Sequence, residues 1–220
     1  MLAARCLSVV ATAAIFAALS VSAARADNTA AAITAFNTAW ASTNDYTCML
    51  HSHEVLGNKT QDRVYQYSFM KPNFAKTLIL SGDGQGSGGV WSGGDTVSGH
   101  QGGILSGLHL TVSVHDPRAT SIRGYTIPDG LMNVIVGRYA TIAGTLTQFK
   151  GGKIAGTDTD LLDLKVSDPS KNDGISEQKL YLSEVTHFPV RQILYSGDQI
   201  VLDQSITDLK TNVGLTQKDF

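Results

Sequence analysis

The stretch Asp45-Tyr46-Thr47-Cys48-Met49-Leu50-His51, answered by Arg63-Val64-Tyr65-Gln66-Tyr67-Ser68-Phe69, decides the fold. Tyr46, Cys48 and Leu50 recur at every second residue in the first segment, and Tyr65, Tyr67 and Phe69 do so behind Arg63 in the second. A period of two sets each group on one face of a strand, and Gly57-Asn58-Lys59 supplies a turn between them. Two neighbouring antiparallel strands follow. Lys71-Pro72 then interrupts the chain before Phe74, Lys76, Leu78 and Leu80 resume the alternation, which predicts a bulge or an edge position where proline is tolerated.

Outward from this pair the same pattern repeats. Leu108–His115, Thr141–Phe149, Leu161–Val166, Gln178–Thr186, Val190–Tyr195 and Ile200–Ile206 all read as strands bounded by Gly, Asp or Pro. Hairpin-type turns such as Ser196-Gly197-Asp198 favour neighbour-to-neighbour pairing, and no regular alternation of strand and helix suggests a parallel sheet. Two helices are expected. Asp27–Asn44 carries Ile33, Phe36 and Trp40 at three- and four-residue spacing, and Asp129–Ala140 carries Leu131, Val134, Ile135 and Arg138. Between Gly82 and Gly103 ten glycines fall in 22 residues, with short candidate strands at Val90-Trp91 and Thr96-Val97 around Gly93-Gly94-Asp95, and this is expected to be the most flexible stretch.

The N-terminus reads as an export signal. Arg5 precedes the apolar run Cys6–Val21, and Ala24-Arg25-Ala26 forms an A-x-A cleavage site before Asp27. The run is shorter than the ~20 residues of a spanning helix. Residues 1–26 are therefore expected to be removed, leaving 27–220 as one domain, soluble and periplasmic. Loss of Arg5 and Arg25 takes the basic residues from 17 to 15 against 19 acids, and the formal charge from −2 to −4, which argues against nucleic acid as a partner. Cys6 leaves with the signal, so Cys48 has no internal disulfide partner and is expected to act as a small buried hydrophobe.

No motif dictates a reaction, and no enzyme activity or cofactor is expected. Gly84-Gln85-Gly86-Ser87-Gly88-Gly89 fits G-x-G-x-x-G, but a short strand follows it instead of the helix N-terminus that holds a pyrophosphate. His51 and His53 project from one strand face while Glu54 points the other way; the pair could serve a metal with a third ligand, but no recognisable spacing completes it and no metal is expected. No G-x-S-x-G elbow occurs. Asp158, Asp160 and Asp163 lack the glycine and glutamate of a calcium loop and read as a solvated turn. The aromatic row is the remaining candidate. On a curved sheet Tyr65, Tyr67 and Phe69, with Phe74 and Trp91 close by in sequence, line the concave face, where they either pack under a helix or meet an apolar ligand.

Several local patterns together resemble one family. Asp45-Tyr46-Thr47-Cys48 follows the N-terminal helix, and Phe69-Met70-Lys71-Pro72-Asn73-Phe74, Trp91-Ser92-Gly93-Gly94-Asp95 and His115-Asp116-Pro117-Arg118 come next. Leu180-Tyr181-Leu182 leads to Phe188-Pro189-Val190-Arg191, and the ending from Asp208 to Phe220 is the most specific match. From Trp40 to Phe220 the chain is similar to the LolA-like half-barrel proteins of Gram-negative periplasms, most closely to the domain-of-unknown-function 1571 family grouped with them. The resemblance implies an α+β, mainly β fold: a single curved antiparallel sheet of the LolA and RseB kind, with the N-terminal helix and a second short helix covering its concave face over an apolar cavity.

The expected function is that of a non-enzymatic periplasmic protein, monomeric, that binds or carries a lipid or an acylated, lipoprotein-like ligand, with a membrane-associated donor or acceptor. Trp40, Tyr65, Tyr67, Phe69, Phe74 and Trp91 are the candidate cavity residues. The alternative is a regulatory or scaffold protein that recognises a protein partner at the half-barrel rim without lipid cargo.

Overall fold

The structure is a computed structural model that describes residues 23–103 and 107–220. The expected signal segment lies for the most part outside the described residues. Eleven strands form one antiparallel sheet that does not close: β1 (Asp45–Leu56), β2 (Lys59–Met70), β3 (Phe74–Gly82), β4 (Gly88–Trp91), β5 (Thr96–His100), β6 (His109–Ser113), β7 (Gly144–Ile154), β8 (Thr157–Val166), β9 (Glu177–Ser183), β10 (Pro189–Ser196) and β11 (Gln199–Thr211). Their spatial order is β6-β5-β4-β3-β2-β1-β11-β10-β9-β8-β7. Every neighbour is therefore a chain neighbour except the central pair, where β1 meets β11. The connection from β6 to β7 has to travel from one edge of the sheet to the other, and it does so across the concave face.

Two α-helices among the described residues sit on that face, α1 (Ala23–Ala41) and α2 (Met132–Thr141). Helix α1 buries Ala32 and Phe36 and ends where the Thr43 N–H turns back to the Trp40 carbonyl. The Lys71 ammonium also donates to that carbonyl at 2.7 Å and lies 5.0 Å from the Trp40 ring centre. Helix α2, inside the long crossover, buries Met132, Ile135, Val136 and Tyr139 against the sheet.

The register of β1 with β2 places Tyr46 opposite Phe69, Cys48 opposite Tyr67 and Leu50 opposite Tyr65, as the alternation predicts. The concave side chains of β1 from Tyr46 to Glu54 are buried, whereas on the convex side His51 and His53 are exposed and Thr47, Met49 and Val55 half-buried. Cys48 is a buried free thiol, and burial pushes its pKa up to about 12, which keeps it a neutral hydrophobe.

The structure corrects several expectations. Pro72 is neither in a bulge nor at an edge: it lies in the turn between β2 and β3, two inner strands, where its missing N–H costs no ladder bond. Asp158, Asp160 and Asp163 are not a solvated turn but part of strand β8, where Asp158 and Asp160 pair across strands with Lys153 and Lys150 and Asp163 with Lys165 of the same strand. The turn is one step earlier, at Ala155-Gly156, where φ is +48° and +85°. In the glycine-rich stretch the short strands expected at Val90-Trp91 and Thr96-Val97 are present, within β4 and β5. Gly88 and Gly89 in β4 face His100 and Gly99 in β5, and a Cβ at Gly99 would stand 2.3 Å from the Gly88 carbonyl oxygen. Glycine is needed at position 99 because two backbones meet there.

Candidate functional site

Following one face of β1 from end to end shows how the site arises. Tyr46, Cys48, Leu50, Ser52 and Glu54 all point into the concave side, and they run from large and apolar to small and polar. At the Tyr46 end the helices fill the space. Trp40 stacks on Phe69 with ring centres 5.3 Å apart and on Phe36 at 6.0 Å, while Phe188 meets Phe36 edge-on at 5.6 Å. At the Ser52 end the large side chains of the helices do not fill the space, and a cavity of about 750 Å³ remains. That volume lies within the range of small-molecule sites, ~300–1,000 Å³.

The floor of the cavity is the concave face of β1 to β6 with the adjoining edge of β10 and β11. Its apolar part comes from Leu50, Tyr65, Ile79, Val97, Leu110 and Val112. Small residues keep the middle open: Thr77, Gly89 and Gly99 stand where longer side chains would project inward. A Cβ at Gly89 would already come within 3.0 Å of Ile127 and 3.3 Å of Val97.

The roof is the crossover from Pro117 to Gly130. It is tied down by the Tyr67 hydroxyl donating to the Ile127 carbonyl at 2.9 Å and by Arg123 donating to the Val55 carbonyl at 2.8 Å. Asp129 accepts from the Thr126 N–H and hydroxyl and forms an ion pair with Arg138. Backbone polar groups that would otherwise be stranded under the roof thereby find partners. The glycine-rich turns at Gly84–Ser87 and Gln101–Gly103 border the same opening.

Four residues make a polar row across the cavity floor. Arg63 pairs with Ser52, Ser52 with Gln204 and Gln204 with Gln192, on four successive strands, and all four line the cavity. Glu54 lies one step further along β1 and is 4 % exposed. Burial raises its pKa, while Ser121, the Arg123 backbone and the charges of Arg63 and Arg123 pull it partway back. Burial likewise raises Tyr65, offset by the Arg63 guanidinium, which donates to its hydroxyl at 3.3 Å.

The sequence-predicted residues divide between the two ends of this face. Tyr65 and Tyr67 line the cavity. Trp40, Phe69 and Trp91 instead belong to the packed cluster beneath the helices, and the Trp91 indole N–H donates to the Gly94 carbonyl at 2.8 Å. Phe74 is on the opposite side of the sheet, its ring 5.8 Å from that of Phe220. The alternation of β3 explains this, since Ala75, Thr77 and Ile79 are the residues registered with the concave side of β2. The polar row was missed by sequence reasoning; its signal was the continuation of the β1 and β2 alternation past Leu50 and Tyr65 into Ser52, Glu54 and Arg63.

On the convex face His51 and His53 do share one side of β1, and His53 Nδ1 is 2.7 Å from the Asp62 carboxylate. No group of three or more potential metal ligands occurs among the described residues. The G-x-G-x-x-G stretch leads into β4 and not into a helix.

No family model matches the chain, and no curated protein matches it by sequence. Solved structures do match. MucB superposes over 88% of this chain and 62% of its own, at 14% identity and a TM-score of 0.53. The Mycobacterium tuberculosis lipoprotein LppX covers 86% of this chain and 98% of its own at 13% identity and a TM-score of 0.51. The Pseudomonas aeruginosa MucA/MucB complex gives 15% identity and a TM-score of 0.50 over 87% of this chain and 60% of the other. At these identities the likeness is one of fold. The chain shares with MucB and LppX a mainly β fold built on one open antiparallel sheet, as expected of a half-barrel, and the narrower grouping with the domain-of-unknown-function 1571 family gains nothing from these matches.

Proposed function

We propose that this protein is a non-enzymatic, exported periplasmic protein that takes a lipid or the acyl part of a lipoprotein-like ligand into the cavity between its concave sheet and the crossover roof. The observation that carries this reading is the unfilled space itself: about 750 Å³ beside a continuous apolar row from Ile79 through Tyr65 to Leu50 and Ile206. Each methylene moved from water into such a site contributes about 0.8 kcal/mol, so an acyl chain is held without any specific polar contact. Tyr65 and Tyr67 are the ring contacts on this reading; Trp40, Phe69 and Trp91 support the floor from the packed end.

The test is mass spectrometry of organic extracts from natively purified protein. A bound lipid at near one per protein is expected, and protein that is empty and also fails to take up a fluorescent acyl probe would end this reading.

A second reading is that a protein partner is recognised at the rim. It is favoured by the two open sheet edges, β6 and β7, beside which Leu108, Leu110 and Phe149 are exposed, and by the likeness in fold to MucB, which has been solved in complex with MucA. Co-purification of a stoichiometric partner with lipid-free protein separates the two.

A further inference from the structure

An acyl chain alone does not account for the polar side of the cavity. Three cavity-lining residues each carry a buried atom without a protein partner, Glu54 Oε2, Gln192 Nε2 and His100 Nδ1, and the first two residues are only 4 % and 1 % exposed. The first accepts hydrogen bonds when ionised and the second donates them. Buried polar groups without partners are costly, so such groups retained on residues that line a cavity call for something that reaches them.

The charges around the cavity narrow what that is. Arg138 is already paired with Asp129, and Arg118 with both oxygens of Asp116. Arg63 gives its Nε–H to the Asp83 backbone carbonyl and another N–H to the Tyr65 hydroxyl, and Glu54 Oε1 accepts from the Ser52 hydroxyl at 3.4 Å, while neither side chain forms a salt bridge among the described residues. One positive and one negative side chain thus face the same floor and offset each other. A carboxylate or phosphate head would have to sit beside Glu54, and an ammonium beside Arg63. A group that both gives and accepts hydrogen bonds without net charge suits both.

We propose that the cavity selects an amphiphile with a neutral, hydroxyl-bearing head, its hydroxyls seated on the row Arg63–Ser52–Gln204–Gln192 and on Glu54, and its hydrocarbon against Leu50, Tyr65 and Ile79. This rests on reading the cavity as a lipid site and adds the chemistry of the head group. A glycerol or sugar head satisfies it; a free fatty acid does not.

The test compares three oleoyl probes that share a tail and differ in the head: monoolein, methyl oleate and oleate. Each is titrated against the full protein carrying N-phenyl-1-naphthylamine as a fluorescent reporter of the apolar cavity. Monoolein is expected to displace the reporter at least about tenfold more strongly than either other probe, which corresponds to about 1.4 kcal/mol. In Gln192→Leu and in Glu54→Leu the ratio of monoolein to methyl oleate affinity should fall to about one. The leucine at 192 replaces an unpartnered buried amide with an apolar group of similar size and should fold, which a melting curve checks.

Equal displacement by all three probes in the wild type would overturn the head-group proposal while leaving the lipid reading in place, as would a preference for oleate. So would a ratio that stays unchanged in both folded variants. Failure of every probe and of the reporter to bind would remove the lipid reading as well.

Discussion

The two ends of the concave face are made from the same strands and end up in opposite states. Under α1 and α2 the face is solid: Phe36, Tyr46 and Phe69 are each no more than 2 % exposed and stack with Trp40 and Phe188. Under the crossover the same strands present Leu50, Ser52, Thr77 and Gly89 and leave a cavity. The difference lies in side-chain size along a shared direction, and in where a helix can descend. A half-barrel can therefore hold itself together at one end and hold something else at the other, because the packing that stabilises it does not depend on filling the whole interior.

The largest effect that would break this comparison is at the solid end. Phe36→Ala removes a fully buried ring and should cost about 3–5 kcal/mol in urea unfolding, whereas Tyr65→Ala, at the half-buried margin of the cavity, should cost about 1–2 kcal/mol. Equal losses would mean that the two ends are packed alike. Next is a filling substitution: Thr77→Trp places an indole in the cavity and should weaken binding of an acyl probe by tenfold or more, with a change in stability of about 1–3 kcal/mol at most. Unchanged probe affinity would place the binding elsewhere.

A third, smaller effect depends on pH. The pKa of Glu54 is raised in the folded protein, so the native state holds its proton to higher pH than the unfolded chain does. Its contribution to stability therefore falls as pH rises through that interval. Glu54→Gln should be more stable than wild type at neutral pH, with the gap closing below about pH 4, where the carboxyl is protonated in the folded and the unfolded chain alike. Denaturation midpoints at several pH values decide it; a gap that widens toward acid would show the opposite sign. The smallest effect is on the convex side. Asp203→Asn breaks a half-exposed ion pair with Arg191 and should cost less than about 1 kcal/mol, leaving probe binding unchanged.

Much of this architecture was legible in residue order. The two-residue period in Tyr46–Leu50 and Tyr65–Phe69 placed each group on one face of its strand because side chains on a strand can point only to one side or the other, and the register then sets the two groups side by side. The three- and four-residue spacing of Ile33, Phe36 and Trp40 marked the helix that covers them. The site was read less well. Phe74 belongs to the apolar alternation of β3, but periodicity does not say which alternate set faces inward, and Ala75 holds that side. Trp40, Phe69 and Trp91 are on the inner side, yet whether an inward ring meets a helix or open space depends on the path of the crossover. The Asp158–Asp163 group was misplaced because its turn, at Ala155-Gly156, is a two-residue hairpin whose signal is a single glycine.

From its own letters the chain determined a mainly β, antiparallel fold, an N-terminal amphipathic helix and a buried, unreactive Cys48, since each follows from local period and side-chain chemistry. Only the tertiary structure decided that β1 pairs with β11, that the route from β6 to β7 therefore crosses the concave face, and that α2 and the roof come down at different places along it. The cavity and the juxtaposition of Glu54 and Gln192 in its lining are products of that route, brought together from strands whose residues are 138 positions apart in sequence. No local pattern carries such a juxtaposition, because it is set by which edges a sheet leaves to be bridged.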